Sequence, residues 1–235
     1  MSDQNNSVFE QRVASLRELL DQNDLDALIV SHDDEYLSYE LNEDEERLKY
    51  ITGFSGSAGY AVITRNDLKI NEESIEINQD NSENSTLVER DCAVFVDGRY
   101  VVQVKEQIDT DIFQDFDLAK VKPAKWISSV MPKNSTVGID INCVSYKEYI
   151  SIKNELGMNN INLVATESNL VDKIWTDKPA PVISEISIFP DEYNGCPSPQ
   201  KRQLIAQTLR DKDLDATVIC DPESICWLLN IRGRD

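Results

Sequence analysis

Histidine is almost missing from this sequence. His32 is its only example among 235 residues, which leaves little material for imidazole bases and nucleophile triads. Cysteine is sparse and scattered: Cys92, Cys143, Cys196, Cys220 and Cys226 form no C-x-x-C pair, so neither a zinc site nor a dithiol redox motif can be read. They read as reduced thiols, mostly buried. Basic residues are also few, with 23 Lys and Arg against 43 Asp and Glu and a net charge of −20. Such a surface is well solvated and repels phosphate, which excludes nucleic acid and anionic membranes as expected partners. No apolar run approaches the ~20 residues of a membrane span. Met1–Ser7 lacks the basic-then-apolar order of a secretory signal, so a cytoplasmic location is expected.

What is present is an α/β pattern. Ser7-Val8-Phe9-Glu10 has the form of a capping box, and Phe9, Val13, Leu16 and Leu20 follow on one helical face. Ala27–Val30 is a short continuous apolar run, as in a buried strand. Residues 32–46 are acidic. Further strands are expected at Tyr60–Thr64, Ala93–Val96, Val137–Asp140 and Ile161–Val164, with helices over Val101–Gln107 and Tyr146–Leu156. Residues 66–90 read as an excursion between two strands, hairpin-like and mobile in its middle. The alternation predicts a three-layer α/β fold, a mixed sheet flanked by helices.

An offset of 189 lays Leu25-Asp26-Ala27 over Leu214-Asp215-Ala216, Asp24 over Asp213, Leu20 over Leu209 and Gln11 over Gln200. Any two helix-to-strand openings share some pattern, but Asp-Leu-Asp-Ala at one distance from the helix favours a duplication. Residues 177–197 are proline-rich and read as a linker between a first domain, 1–176, and the start of a second at 198–235. Ser198-Pro199 opens a new helix there. A few dozen residues rarely bury enough surface to stand alone, and the apolar segment Ile225–Ile231 would need a partner sheet. The expectation is a chain cut inside its second domain.

The motifs carry little chemistry by themselves. Gly53, Gly56 and Gly59 precede a strand rather than a helix, so neither phosphate-loop pattern applies. Ser55 and Ser57 miss the nucleophile elbow. Small residues here suit a tight turn or a close approach. Asp97-Gly98-Arg99-Tyr100 sets a charged pair beside a glycine turn, where Arg99 either pairs locally or reaches a substrate. Among 43 acidic residues no cluster has distinctive metal-ligand spacing. No residue is therefore assigned as catalytic or as a metal ligand.

Tyr50–Gly59 resembles the "TGF-GSAG" stretch of Xaa-Pro aminopeptidases, the aminopeptidase P group of the creatinase and prolidase superfamily. Val96–Tyr100 is similar to their "TDGRY" strand end, Asn169–Pro179 to their "NLVDxIWxDRP" junction, and Trp227–Gly233 to their "AWLLNIRG" segment. The resemblance implies two related N-terminal α/β domains ahead of a pita-bread catalytic domain. It implies removal of an N-terminal residue from peptides with proline second, by water held between two divalent ions, manganese or zinc. Their ligands, two aspartates, a histidine and two glutamates, belong to that third domain and match no position here. On this resemblance the chain has no cofactor of its own and no catalytic residue. Arg99 and Tyr100 are candidates for lining a neighbouring subunit's substrate pocket, in a homo-oligomer. The excursion at 66–90 is longer than the resemblance implies. An alternative is a binding or assembly module derived from the family. A prolidase or creatinase-like amidinohydrolase fits less well, because those enzymes resemble a single N-terminal domain.

Overall fold

The computed structural model describes residues 3–65, 76–78 and 85–233. Helix α1 (Asp3–Gln22) leads into strand β1 (Ala27–Ser31), and α2 (Arg47–Thr52) into β2 (Gly59–Thr64). A short antiparallel pair, β3 (Glu76–Asn78) and β4 (Ser85–Leu87), precedes β5 (Cys92–Val96). Then come α3 (Gln103–Gln107), β6 (Phe113–Asp117), α4 (Pro123–Val130), β7 (Thr136–Ile139), α5 (Tyr146–Met158), β8 (Asn162–Ala165) and α6 (Leu170–Ile174). Six strands form one mixed sheet in the order β6-β5-β2-β1-β7-β8. Strand β2 runs antiparallel to both neighbours, while β5–β6, β1–β7 and β7–β8 are parallel.

Alternation along the strands divides the core into two layers. Leu28 and Val30 of β1, Ala61 and Ile63 of β2, and Val94 and Val96 of β5 pack with Leu16, Leu20, Ile51, Val104 and Leu170 of the helices on one face. Ala27, Ile29, Val62, Ala93 and Phe95 point the other way and meet Trp126, Ile127 and Leu156 of α4 and α5. Side chains such as Leu16 and Ile51, fully buried, each contribute ~1.5–3 kcal/mol. This is the expected three-layer mixed sheet.

Local details differ from the expectations. Helix α1 begins at Asp3, so Ser7 lies inside it rather than at its start. The backbone after β5 turns as a 3-10 segment over Gly98–Tyr100, and α3 follows only at Gln103. Strands β3 and β4 confirm a hairpin within 66–90, whose middle lies outside the described residues. The proline-rich stretch 177–197 holds β9 (Ser187–Ile188) and α7 (Asp191–Asn194). Helix α8 (Ser198–Asp211) carries Pro199 in its first turn. The apolar run 225–231, expected to need a sheet, is mostly helix α9 (Pro222–Leu229), followed by β10 (Ile231–Arg232) paired with β9.

Candidate functional site

Strand β5 leaves the sheet through Asp97, whose carboxylate accepts from the Arg99 backbone N–H at 3.0 Å and from Arg99 Nε at 2.7 Å. Tyr100 folds over the loop 53–59. Its hydroxyl shares a 2.7 Å hydrogen bond with Ser57 Oγ, and its ring meets Phe54 edge to face at 5.6 Å. Gln107 of α3 holds the loop's other side: Oε1 accepts from Ser55 N–H, and Nε2 donates to Ser55 Oγ, both at 2.9 Å. A Cβ on residue 56 would lie 2.3 Å from the Phe54 ring and 2.9 Å from Tyr100, so only glycine fits there. The small residues of this stretch allow the close approach expected of them, here with the rings of Phe54 and Tyr100.

Arg99 thus stands on a braced turn with its side chain 64% exposed. Its hydrogen bond pulls the Asp97 carboxyl below the usual range, and the Ser57 hydrogen bond lowers the Tyr100 phenol. An exposed guanidinium beside a phenol can receive a carboxylate or a carbonyl oxygen. No activated nucleophile accompanies them.

A second polar group, which the sequence did not reveal, lies at the carboxyl ends of β1 and β7. The connection from β1 runs one way across the sheet and that from β7 the other, the place where open α/β sheets form crevices. A recess of about 240 Å³ opens here between Glu35, Glu45, Arg47, Asp140, Asn142, Cys143, Asn169 and Asp172. Arg47 closes it from within. Its Nε and Nη2 donate to the two Asp172 oxygens at 2.8 and 2.9 Å, and Nη1 donates to Glu45. Lys178 joins Asp172 at 3.0 Å. Burial works against the Arg47 charge, but the Asp172 and Glu45 hydrogen bonds outweigh it and hold the guanidinium protonated. Nearby, burial and then Glu148 push Asp33 up to about 6. Arg47 and Asp172 are 125 positions apart in sequence, and only the fold assembles the group.

The two buried cysteines are not poised as nucleophiles. Burial raises the Cys92 thiol to about 11, and burial with Asp140 raises Cys143 to about 12, so neither is a thiolate at neutral pH. His32 is buried just beyond β1, with Nε2 3.8 Å from Glu46 Oε2. Among the described residues no group of three or more His, Cys, Asp or Glu could hold a metal ion. A pair of divalent ions therefore does not fit the donor sets of these residues. Among the described residues no helix is long and apolar enough to cross a membrane.

Residues 12–90 and 177–235 each match a family described as the creatinase/prolidase N-terminal domain. The Xaa-Pro aminopeptidase ApepP of Drosophila melanogaster is 31% identical over 234 residues, covering 96% of this chain and 34% of that protein. Aminopeptidase P1 of Arabidopsis thaliana is 27% identical over 229 residues, 95% of this chain and 31% of that protein. The X-prolyl aminopeptidase of Caenorhabditis elegans, described as a cytosolic enzyme with a di-nuclear active site, superposes with a TM-score of 0.77. It is 23% identical, over 95% of this chain and 34% of that one. The chain spans about a third of the length of these relatives.

Proposed function

The chain belongs to the creatinase/prolidase family of N-terminal domains, and from that premise we propose that it is the non-catalytic N-terminal portion of a metal-dependent Xaa-Pro aminopeptidase. The observation that carries this reading is the match to Xaa-Pro aminopeptidases along 96% of the chain but only 34% of the relative. The whole enzyme would hydrolyse peptides with proline second, in the cytoplasm, using two divalent ions, manganese or zinc, held outside the residues described here. Residues 1–176 would form the first domain, 177–197 the link, and 198–235 the opening of a second.

In this reading Arg99 and Tyr100 line the approach to a neighbouring subunit's peptide-binding cleft. Their support is the braced, exposed turn, which presents a cation without spending it on a buried partner. No bond-making step is assigned to any residue of this chain. The test is direct. The purified 235-residue chain is expected to leave Xaa-Pro peptides intact in the presence of manganese or zinc, while the longer protein that carries it cleaves them. Cleavage by the chain alone overturns the reading, and an inactive longer protein favours a binding or assembly module instead.

A further inference from the structure

The duplication seen at an offset of 189 is repeated in side-chain geometry. In the first unit, Arg12 of α1 donates from Nη1 to the Tyr50 carbonyl at 2.7 Å, and its guanidinium lies 3.8 Å from the Tyr50 ring centre. In the second, Lys201 of α8 stands 189 positions after Arg12. It donates from Nζ to the Trp227 carbonyl at 2.7 Å and lies 4.5 Å from the Trp227 ring centre. The helix bearing each aromatic ends the same way, on a left-handed residue three positions later: Gly53 at φ 85° and Asn230 at φ 55°. Each residue's N–H closes onto the carbonyl four before it. Helices α1 and α8 also end alike, on Asp24 at φ 53° and Asp213 at φ 55°. Tyr50 and Trp227 are thus counterparts, each clasped by a cation from the preceding helix.

The two clasps differ on the other side of the ring. Tyr50 is stacked on Trp175 at 4.6 Å with the planes 19° apart, its hydroxyl bonds the Ile174 carbonyl at 3.0 Å, and it is 9% exposed. Trp227 is 53% exposed. The contrast extends along the unit. Leu25 is 4% exposed and Ile29 2%, whereas their counterparts Leu214 and Val218 are 52% and 90%.

We propose that the open face of Trp227 is a docking seat for an aromatic side chain carried by polypeptide that follows α9 in the same protein, the counterpart of Trp175. This rests on the reading of the chain as the N-terminal portion of a longer enzyme. In the first unit the strands that flank β1, namely β2 and β7, and the ring that stacks on Tyr50, Trp175, all come after α2 in the chain, so their counterparts in the second unit belong after α9. The chemistry of the occupant follows from the clasp. Lys201 already places its charge on the ring, so a second cation would be repelled, whereas a neutral ring stacks at an offset, as Trp175 does on Tyr50.

The test uses 5-fluorotryptophan in the 235-residue chain and in the longer protein, with the Trp227 fluorine signal assigned through Trp227→Phe. A soluble gadolinium chelate is expected to broaden that signal strongly in the chain and several-fold less in the longer protein, where aromatic protons give it an Overhauser effect. Equal broadening in both overturns the proposal, as does shielding without an aromatic contact. Shielding that appears in the chain itself as its concentration rises assigns the face to a second copy and equally overturns it. Cleavage of Xaa-Pro peptides is scored on the same longer protein. Cleavage with an exposed Trp227 sinks only the docking seat, and a shielded Trp227 without cleavage sinks only the proposed function.

Discussion

Asp26 fastens the start of β7 to β1: its Oδ2 accepts from the Thr136 backbone N–H at 2.7 Å, while Oδ1 accepts from Arg65 Nη2 at 2.6 Å. One carboxylate thereby joins strands whose sequences are 110 positions apart. Replacing it by alanine leaves a part-buried N–H without its acceptor and takes one of two carboxylates from Arg65, which also faces Asp21 at 3.6 Å, at a cost of ~1–2 kcal/mol. Asp26→Ala is expected to lower the urea midpoint accordingly. Asp215, its counterpart 189 positions on, is exposed, and Asp215→Ala is expected to change stability by less than ~0.5 kcal/mol. Equal losses at the two positions would contradict this account of the first unit.

The Arg47–Asp172 pair ties α2 to α6. Arg47→Ala leaves Asp172 and Glu45 with Lys178 alone as their cation in a half-buried recess, at a cost of ~2 kcal/mol. Lysine cannot reproduce the two-pronged contact, so Arg47→Lys should recover only part of that loss in the same denaturation measurement. Acid should act through this pair too. Burial alone would raise Asp172, yet the Arg47 and Lys178 hydrogen bonds lower it below 3.8. Its stabilising contribution is therefore complete above that value and disappears as pH falls through the lower folded one.

Much of the sheet could be read from the chain because β1, β2, β5 and β7 are compact apolar runs that only a covered strand tolerates. Strand β6, Phe-Gln-Asp-Phe-Asp, could not: it is an edge strand, and only Phe113 and Phe116 are fully buried. Helix α4 was missed although Pro123 at its first turn and the buried Trp126 both mark it. The 97–100 turn was legible as a glycine turn with a charged pair. Its bracing by Ser57, Phe54 and Gln107 was not, because those contacts span about 40 to 50 residues. The clasp on Trp227 was invisible at the level of residue identity, since the first unit has Arg12 and Tyr50 where the second has Lys201 and Trp227. Both pairs make the same two contacts, cation to ring and cation to carbonyl.

Asp33 works in the opposite sense to Asp172. Its folded value of about 6 lies above the ordinary 3.8, so the folded state binds the extra proton between those values. Stability should therefore fall as pH rises from about 4 to about 6, and the penalty is fully present above that range. Discounted for partial exposure, this amounts to ~2 kcal/mol at neutral pH. Asp33→Asn should raise stability by about that amount at pH 7 and flatten the pH profile between 4 and 6, as followed by urea denaturation.

Arg99 is expected to matter for function and not for folding. Its side chain is 64% exposed and its carboxylate partner, Asp97, lies two residues away, so Arg99→Ala should alter stability by less than ~0.5 kcal/mol. If the turn meets the peptide, the longer enzyme loses one charged contact, and kcat/KM should fall by about tenfold, mainly through KM. Unchanged kinetics would remove Arg99 from the substrate path.

Amide exchange separates the two units most sharply. Strand β1 is paired on both sides, with β2 and β7, and Leu28, Ile29 and Val30 are at most 5% exposed. Its amides should open only with global unfolding. The counterpart segment 216–220 is not part of a strand, and Val218 is 90% exposed. Its sequence favours a strand, but a strand buried on both faces needs neighbours to take its hydrogen bonds and its side chains. In the 235-residue chain, residues 216–220 should exchange faster than residues 27–31 by a factor on the order of 1,000 or more. Comparable protection would mean that this segment is already covered, and the asymmetry between the units would lose its physical basis.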